Sequence, residues 1–210
     1  VLLNFTIYVN YTGNITYPFF TIKIIIDSKV LSLPMITLQS QDYTGTYKFL
    51  GGHLSLDFVN TVSWPNTPRA YDWLQDTNGL FQWIEASPLK QYSSFLKKNR
   101  GKYCTPEQLQ RIHNVRTKLY DILNRLAFKE EILSEQVKGL NDFLTEARIY
   151  KIIDSNTLQW HWTNLDSPEK LIYPIVDDAA QLITTADLNR LKYCPKCHWL
   201  FYDTSKNKSR

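Results

Sequence analysis

With 210 residues, 43% of them hydrophobic and 21% charged, the chain can bury one core with a small appended module, and its composition excludes a disordered polyelectrolyte. Three cysteines cannot form a disulfide framework without a leftover, no secretory signal opens the sequence, and no apolar run approaches the roughly 20 residues of a membrane helix, so a cytoplasmic protein with no membrane partner is expected. The net charge of +4 is unevenly placed: Arg190, Lys192, Lys196, Lys206, Lys208 and Arg210 meet only Asp203, which gives that stretch +5 and leaves the rest nearly neutral. A cationic end of this kind suits a polyanion, and a solvated lysine-rich terminus has the same composition.

The only methionine is Met35, and residues 1–34 are built largely from Ile, Phe, Tyr, Asn, Thr and Leu, with Lys23, Asp27 and Lys29 as their only charges. The bias is that of translated A/T-rich DNA, so residues 1–34 are expected to be a non-native or disordered extension. The glycosylation patterns at Asn4, Asn10 and Asn14 then follow from Asn and Thr richness alone, and Phe19 to Ile26 would favour a strand. From residue 35 to 187 an α+β domain is expected, mainly helical with a small antiparallel hairpin sheet.

Gly51-Gly52 precedes His53-Leu54-Ser55-Leu56-Asp57-Phe58-Val59-Asn60-Thr61, whose apolar positions fit a short helix or a strand equally. Pro65 and Pro68 interrupt any continuation, and Asn78 to Ala86 reads as a helix ended by Ser87-Pro88. Thr105-Pro106-Glu107-Gln108 has the form of a capping box with proline at the first helical position. Leu109, Ile112, Val115, Leu119, Ile122, Leu123 and Leu126 follow at helical spacing, with His113 at the stripe's boundary. A further helix is predicted from Ser134 to about Arg148, with Val137, Leu140, Phe143, Leu144 and Ala147 inward.

Tyr150–Ile153 and Thr157–Trp162 read as strands around the turn Asp154-Ser155-Asn156, with Trp160 and Trp162 on one face. The last long helix is predicted to start, capped, at Ser167-Pro168-Glu169. Its Asp177 and Asp178 point about 100° apart and read as a solvated face. No nucleophile elbow, phosphate loop, HExxH or dinucleotide fingerprint is found, so no enzyme is predicted.

Cys194-Pro195-Lys196-Cys197, followed by His198, is the pattern in which two thiolates on one tight turn grip a single Zn2+. A redox pair shares the spacing, but that motif opens a helix after a buried strand, and here aromatic Trp199, Phe201 and Tyr202 follow. A structural zinc needs about four ligands. His198 is awkwardly adjacent, and Cys104 reads as an ordinary thiol, so the metal site of Cys194 and Cys197 is expected to be half present. Lys196, Lys206, Lys208 and Arg210 are the candidate phosphate contacts. Asp57, Asn60 and Thr61, with His53 and Arg69 near in sequence, are candidates to line a small-molecule effector pocket, or alternatively to brace the turn before Pro65. Trp64, Trp73 and Trp83 would wall a pocket or fill the core.

The run from Gly51 to Thr61 resembles the opening signature of ABATE-domain proteins, and Cys194 to Arg210 resembles the start of their C-terminal CGNR zinc finger. The resemblance covers about residues 48–210 and places an incomplete finger at 188–210. It implies a partial treble-clef-like fold there, a second cysteine pair beyond residue 210 completing the Zn2+ site, and a stress-responsive bacterial transcription regulator whose finger contacts DNA.

Overall fold

The computed structural model describes residues 23–26, 29–32, 47–93 and 104–206, so Asn4, Asn10, Asn14, Met35, Lys208 and Arg210 lie outside the described residues. The chain divides into two compact units, Val1–Tyr43 and Thr44–Arg210. In the first, β1 (Lys23–Ile26) pairs antiparallel with β2 (Lys29–Ser32), Lys23 opposite Ser32.

The second unit is α+β and mainly helical. Its described elements are α1 (Leu54–Val59), β3 (Val62–Ser63), β4 (Tyr71–Asp72), α2 (Thr77–Ala86), α3 (Pro106–Ala127), α4 (Ser134–Ala147), β5 (Lys151–Ile153), β6 (Trp160–Trp162), α5 (Ile172–Thr185), β7 (Leu191–Tyr193) and β8 (Leu200–Tyr202). The strands pair as separate antiparallel hairpins, β3 with β4, β5 with β6 and β7 with β8, where one hairpin sheet was expected.

The longest helix, α3, forms as its sequence dictates. Thr105 Oγ1 accepts from the Gln108 N–H at 3.3 Å and Gln108 Oε1 accepts from the Thr105 N–H at 2.9 Å, closing the capping box. Its stripe of Ile112, Val115, Leu119 and Leu123 is buried in one cluster with Leu56 and Phe58 of α1, Trp83 and Ile84 of α2, and Ile175, Val176 and Leu182 of α5, and Ile122 is buried too. His113 sits half-buried at the edge with Nε2 2.7 Å from the Leu74 carbonyl. Arg116 also faces inward: its guanidinium pairs with the Asp72 carboxylate and donates to Thr61 Oγ1 at 2.9 Å, which ties β4 and the end of α1 to α3.

Three expectations are corrected. Helix α4 buries only Ala147, while Leu140, Phe143 and Leu144 are half-buried and Val137 stays 44% exposed, because only the C-terminal part of α4 meets the core. The last helix begins with a 3-10 turn, Pro168–Leu171, and α5 proper starts at Ile172. Pro174 explains this: its missing N–H costs nothing in a first turn, whereas one turn deeper its ring would oppose the carbonyl of Lys170. Ser167 makes no side-chain cap bond. Asp177 and Asp178 diverge as helical geometry requires, but neither is a solvated carboxylate. Asp177 accepts from Lys151 Nζ at 2.7 and 2.9 Å, and Asp178 accepts from the Ser55 N–H at 2.8 Å and Ser55 Oγ at 2.6 Å.

Within the Gly51–Thr61 segment, Leu54–Val59 is a helix and not a strand. His53 at its N-cap makes no side-chain cap bond, so the Asp178 carboxylate from α5 takes an orphan amide at the positive end of α1.

Candidate functional site

The cysteine pair occupies the loop between β7 and β8. Strand register sets Leu191 opposite Tyr202 and Tyr193 opposite Leu200, and Leu191 and Leu200 are both fully buried in the core. The loop closes on itself: the Cys194 N–H donates to the Trp199 carbonyl at 2.8 Å and the His198 N–H to the Cys194 carbonyl at 2.8 Å. His198 adopts φ 61°, the left-handed conformation this tight turn requires. Backbone N–H groups of Cys197 and Lys196 approach the Cys194 sulfur; the first of these does most to hold its thiol below the usual range. Cys197 is pushed the other way, chiefly by burial, against a compensating amide from Trp199. Two thiols on one turn, with amides aimed at the sulfur, form a donor pair suited to a soft divalent metal. Among the described residues no group of three or more His, Cys, Asp or Glu side chains is placed to hold a metal ion. Cys104 is half-buried and its thiol is raised to about 11, chiefly by burial.

The knuckle is mounted on the Gly51–Thr61 segment by hydrogen bonds. Asn60, only 8% exposed, donates through Nδ2 to the Leu200 carbonyl at 2.8 Å and accepts through Oδ1 from the Leu200 N–H at 2.9 Å. Both polar ends of its amide are thus taken by one residue of β8. The Gly51 carbonyl accepts from the Tyr202 N–H at 2.8 Å. Trp64, at φ 48°, donates its indole N–H to the Lys196 carbonyl at 3.0 Å and its backbone N–H to that of Cys197 at 3.4 Å. The His53 ring meets the Tyr202 ring edge-on, 5.2 Å between centroids.

The glycine pair sets the tight turn that leads into α1. A Cβ on Gly51 would stand 2.6 Å from Leu56 Cβ and 2.9 Å from the Asp57 nitrogen, and Gly52 holds φ 81°. Asp57 Oδ1 accepts from the Gly51 N–H at 2.8 Å, and burial lifts its carboxyl to about 6, with the neighbouring Asp178 charge adding to the rise.

The structure therefore joins Asn60 directly to the cysteine hairpin, and Asp57 to Gly51, whose carbonyl also bonds that hairpin. Thr61 is buried, donates to the Phe58 carbonyl at 2.6 Å and accepts from Arg116. Arg69 is exposed in the loop before β4. Trp83 is core, Trp73 donates to Ser63 Oγ at 2.9 Å, and Trp64 bears on the knuckle. Of the cations, Lys196 at the knuckle's tip and Lys206 are exposed. Arg190 is engaged structurally instead, donating to the carbonyls of Asp203 and Ser205, each at 2.9 Å, which fixes the chain beyond β8. Sequence reasoning missed Trp64, Arg190 and Asp178 as mounting residues, because their partners are backbone groups or lie far along the chain.

The β5–β6 hairpin repeats the knuckle's turn without cysteine. Its loop, 154–159, matches 194–199 in length: the Asp154 N–H donates to the Gln159 carbonyl at 2.9 Å, the Leu158 N–H to the Asp154 carbonyl at 2.9 Å, and Leu158 has φ 52°. Asp154 Oδ1 takes the place of the Cys194 sulfur, accepting from the N–H groups of Asn156 at 3.0 Å and Thr157 at 2.8 Å. The Thr157 hydroxyl, at the position of Cys197, donates to the same oxygen at 3.0 Å. This capped turn runs longer than the predicted Asp154-Ser155-Asn156 and shortens the strands to Lys151–Ile153 and Trp160–Trp162.

Among the described residues, no helix is long and apolar enough to cross a membrane. No curated protein and no solved structure matches the chain. A family model does match: ABATE, described as "Putative stress-induced transcription regulator", over residues 52–186, a span that runs from the glycine pair through α5 and holds Asn60, Trp64 and Asp178. With more than half its length under that model, the chain belongs to the ABATE family.

Proposed function

We propose that this chain is the body of a DNA-binding transcription regulator of the bacterial stress response, with Cys194 and Cys197 as half of a structural Zn2+ site in a treble-clef-like finger. Lys196, Lys206, Lys208 and Arg210 contact DNA phosphates, and Asn60 mounts the finger on the body through Leu200. The single observation that carries the reading is the knuckle: Cys194 and Cys197 sit on one turn closed by backbone hydrogen bonds, and its tip exposes Lys196. Completing the tetrahedron requires two donors beyond the described residues. Phosphate contacts of this kind position a protein without reading sequence. A second reading, a sensory module whose knuckle is a structural cap, is favoured by the open cleft beside β5 and β6.

The test has a metal arm and a DNA arm. Co2+ added to the reduced chain should develop a thiolate charge-transfer absorption, absent in C194D/C197T, a variant that stays folded because Asp154 and Thr157 already close the same turn. Anisotropy of a labelled duplex should report binding that weakens steeply between about 50 and 200 mM salt, with K196A/K206A reducing the salt slope by about 2. Absence of DNA affinity at the lower salt in metal-loaded protein ends the regulator reading.

A further inference from the structure

A cleft of about 500 Å3 opens between α4 and one face of the β5–β6 hairpin. Register sets Lys151 opposite Trp162 and Ile153 opposite Trp160, so these four side chains share that face. Leu144 and Ala147 of α4 supply the apolar wall. The Lys151 ammonium lies 5.2 Å from the Trp160 ring centroid and 5.5 Å from that of Trp162, and Asp177 holds it through both carboxylate oxygens. Asp177 also accepts from Gln181 Nε2 at 2.6 Å. Lysine and aspartate, both lining the cleft, thus neutralise one another, and the ammonium holds the two indoles in place.

Two features of this cleft are left unused by the fold. Trp160 is 64% exposed although its neighbour Trp162 is half-buried and packed against the core. Arg148, on the rim, is exposed and has no ion pair among the described residues. A flat apolar surface beside an unpaired guanidinium is complementary to a planar ring that carries one carboxylate: the ring stacks on indole, and the carboxylate meets the guanidinium fork. A cationic ligand would oppose Arg148, since Lys151 is already neutralised by Asp177, and a neutral one would leave the guanidinium unmatched. The volume falls in the range of small-molecule sites.

We propose that this cleft is a binding site for a planar aromatic monocarboxylate, with Trp160 and Trp162 as the stacking surface and Arg148 as the carboxylate partner. The site is separate from the knuckle, and nothing in the proposal depends on DNA or metal.

Calorimetric titration of the full chain with 2-naphthoate, 2-naphthamide and 2-naphthylmethylammonium tests it. Naphthoate should bind one per chain, about tenfold or more tighter than the amide, with the ammonium weakest. Arg148→Gln should bring naphthoate down to the level of the amide while amide binding is unchanged, and Trp160→Ala should weaken both by about tenfold. Both side chains are exposed, so circular dichroism of each variant should match the parent; should Trp160→Ala unfold, Arg148→Gln still decides the matter. No binding of naphthoate, equal affinity for the amide, preference for the ammonium, or indifference to Arg148→Gln would each overturn the proposal. Because DNA affinity is not read, its failure and that of the regulator reading are distinguishable.

Discussion

The β5–β6 and β7–β8 hairpins have three-residue strands, loops of equal length, the same pair of closing backbone hydrogen bonds and one left-handed residue at the same loop position. Their surroundings differ completely. Leu191 and Leu200 of the second hairpin are fully buried, whereas Ile152, Ile153 and Trp160 of the first are 46%, 57% and 64% exposed. Local turn chemistry therefore makes a knuckle but does not say what the knuckle is for. The difference lies in what caps the loop amides, an aspartate in one case and a cysteine in the other, and in whether another segment reaches over to take the strand's backbone. For β7–β8 that segment is the Gly51–Trp64 stretch; the β5–β6 hairpin instead leaves its aromatic face open to a cleft.

The largest expected effect breaks the mounting. Asn60→Ala removes both hydrogen bonds to Leu200 and strands a buried N–H and a buried carbonyl, which should cost about 2–4 kcal/mol. Urea unfolding monitored by tryptophan fluorescence measures it. A loss under about 0.5 kcal/mol would mean that the hairpin is held by leucine burial alone.

A smaller effect concerns the charge beneath the mounting. Burial disfavours the Asp57 carboxylate and pushes its pKa from the ordinary 3.8 up to about 6 in the folded chain. A raised folded value means that the native state binds the proton more tightly. The resulting stabilisation is fully present below about 3.8 and is lost as pH rises through about 6. Asp57→Asn retains an acceptor for the Gly51 N–H and removes the charge, so it should gain about 1–2 kcal/mol over the parent at about pH 8, after allowance for partial solvent access, and little at about pH 3.5. Unfolding free energies of both proteins across that range check the sign. A constant difference between them would refute the assignment.

How much of this was legible follows from where each partner lies. Helix α3 could be read because its signals are local: Thr105 and Gln108 cap each other, and the apolar stripe recurs every turn. The helix at Leu54–Val59 could not be distinguished from a strand, because the carboxylate at its N-terminus, Asp178, lies 123 residues on. The cysteine spacing announced a knuckle, since two thiols on one turn need nothing else to be recognised. The roles of Asn60 and Trp64 were hidden for a different reason. Their partners are main-chain groups of Leu200, Lys196 and Cys197, and a backbone amide carries no mark in the sequence.

The smallest expected effect returns to the turn that both hairpins share. Leu158 and His198 hold φ 52° and 61°, a region that costs an ordinary L-residue roughly 1–2 kcal/mol and that asparagine tolerates better. Leu158 is 75% exposed, so Leu158→Asn forfeits little burial and should stabilise the chain by about 0.5–1 kcal/mol. His198→Asn relieves the same backbone but gives up ring packing against Tyr193, whose centroid is 5.4 Å away, so its net change should fall nearer zero. Thermal unfolding of the two single variants compares them directly. Equal gains would show that the His198 ring contributes nothing to holding the knuckle, and a loss at Leu158 would show that its side chain packs on a surface the hairpin was thought to leave open.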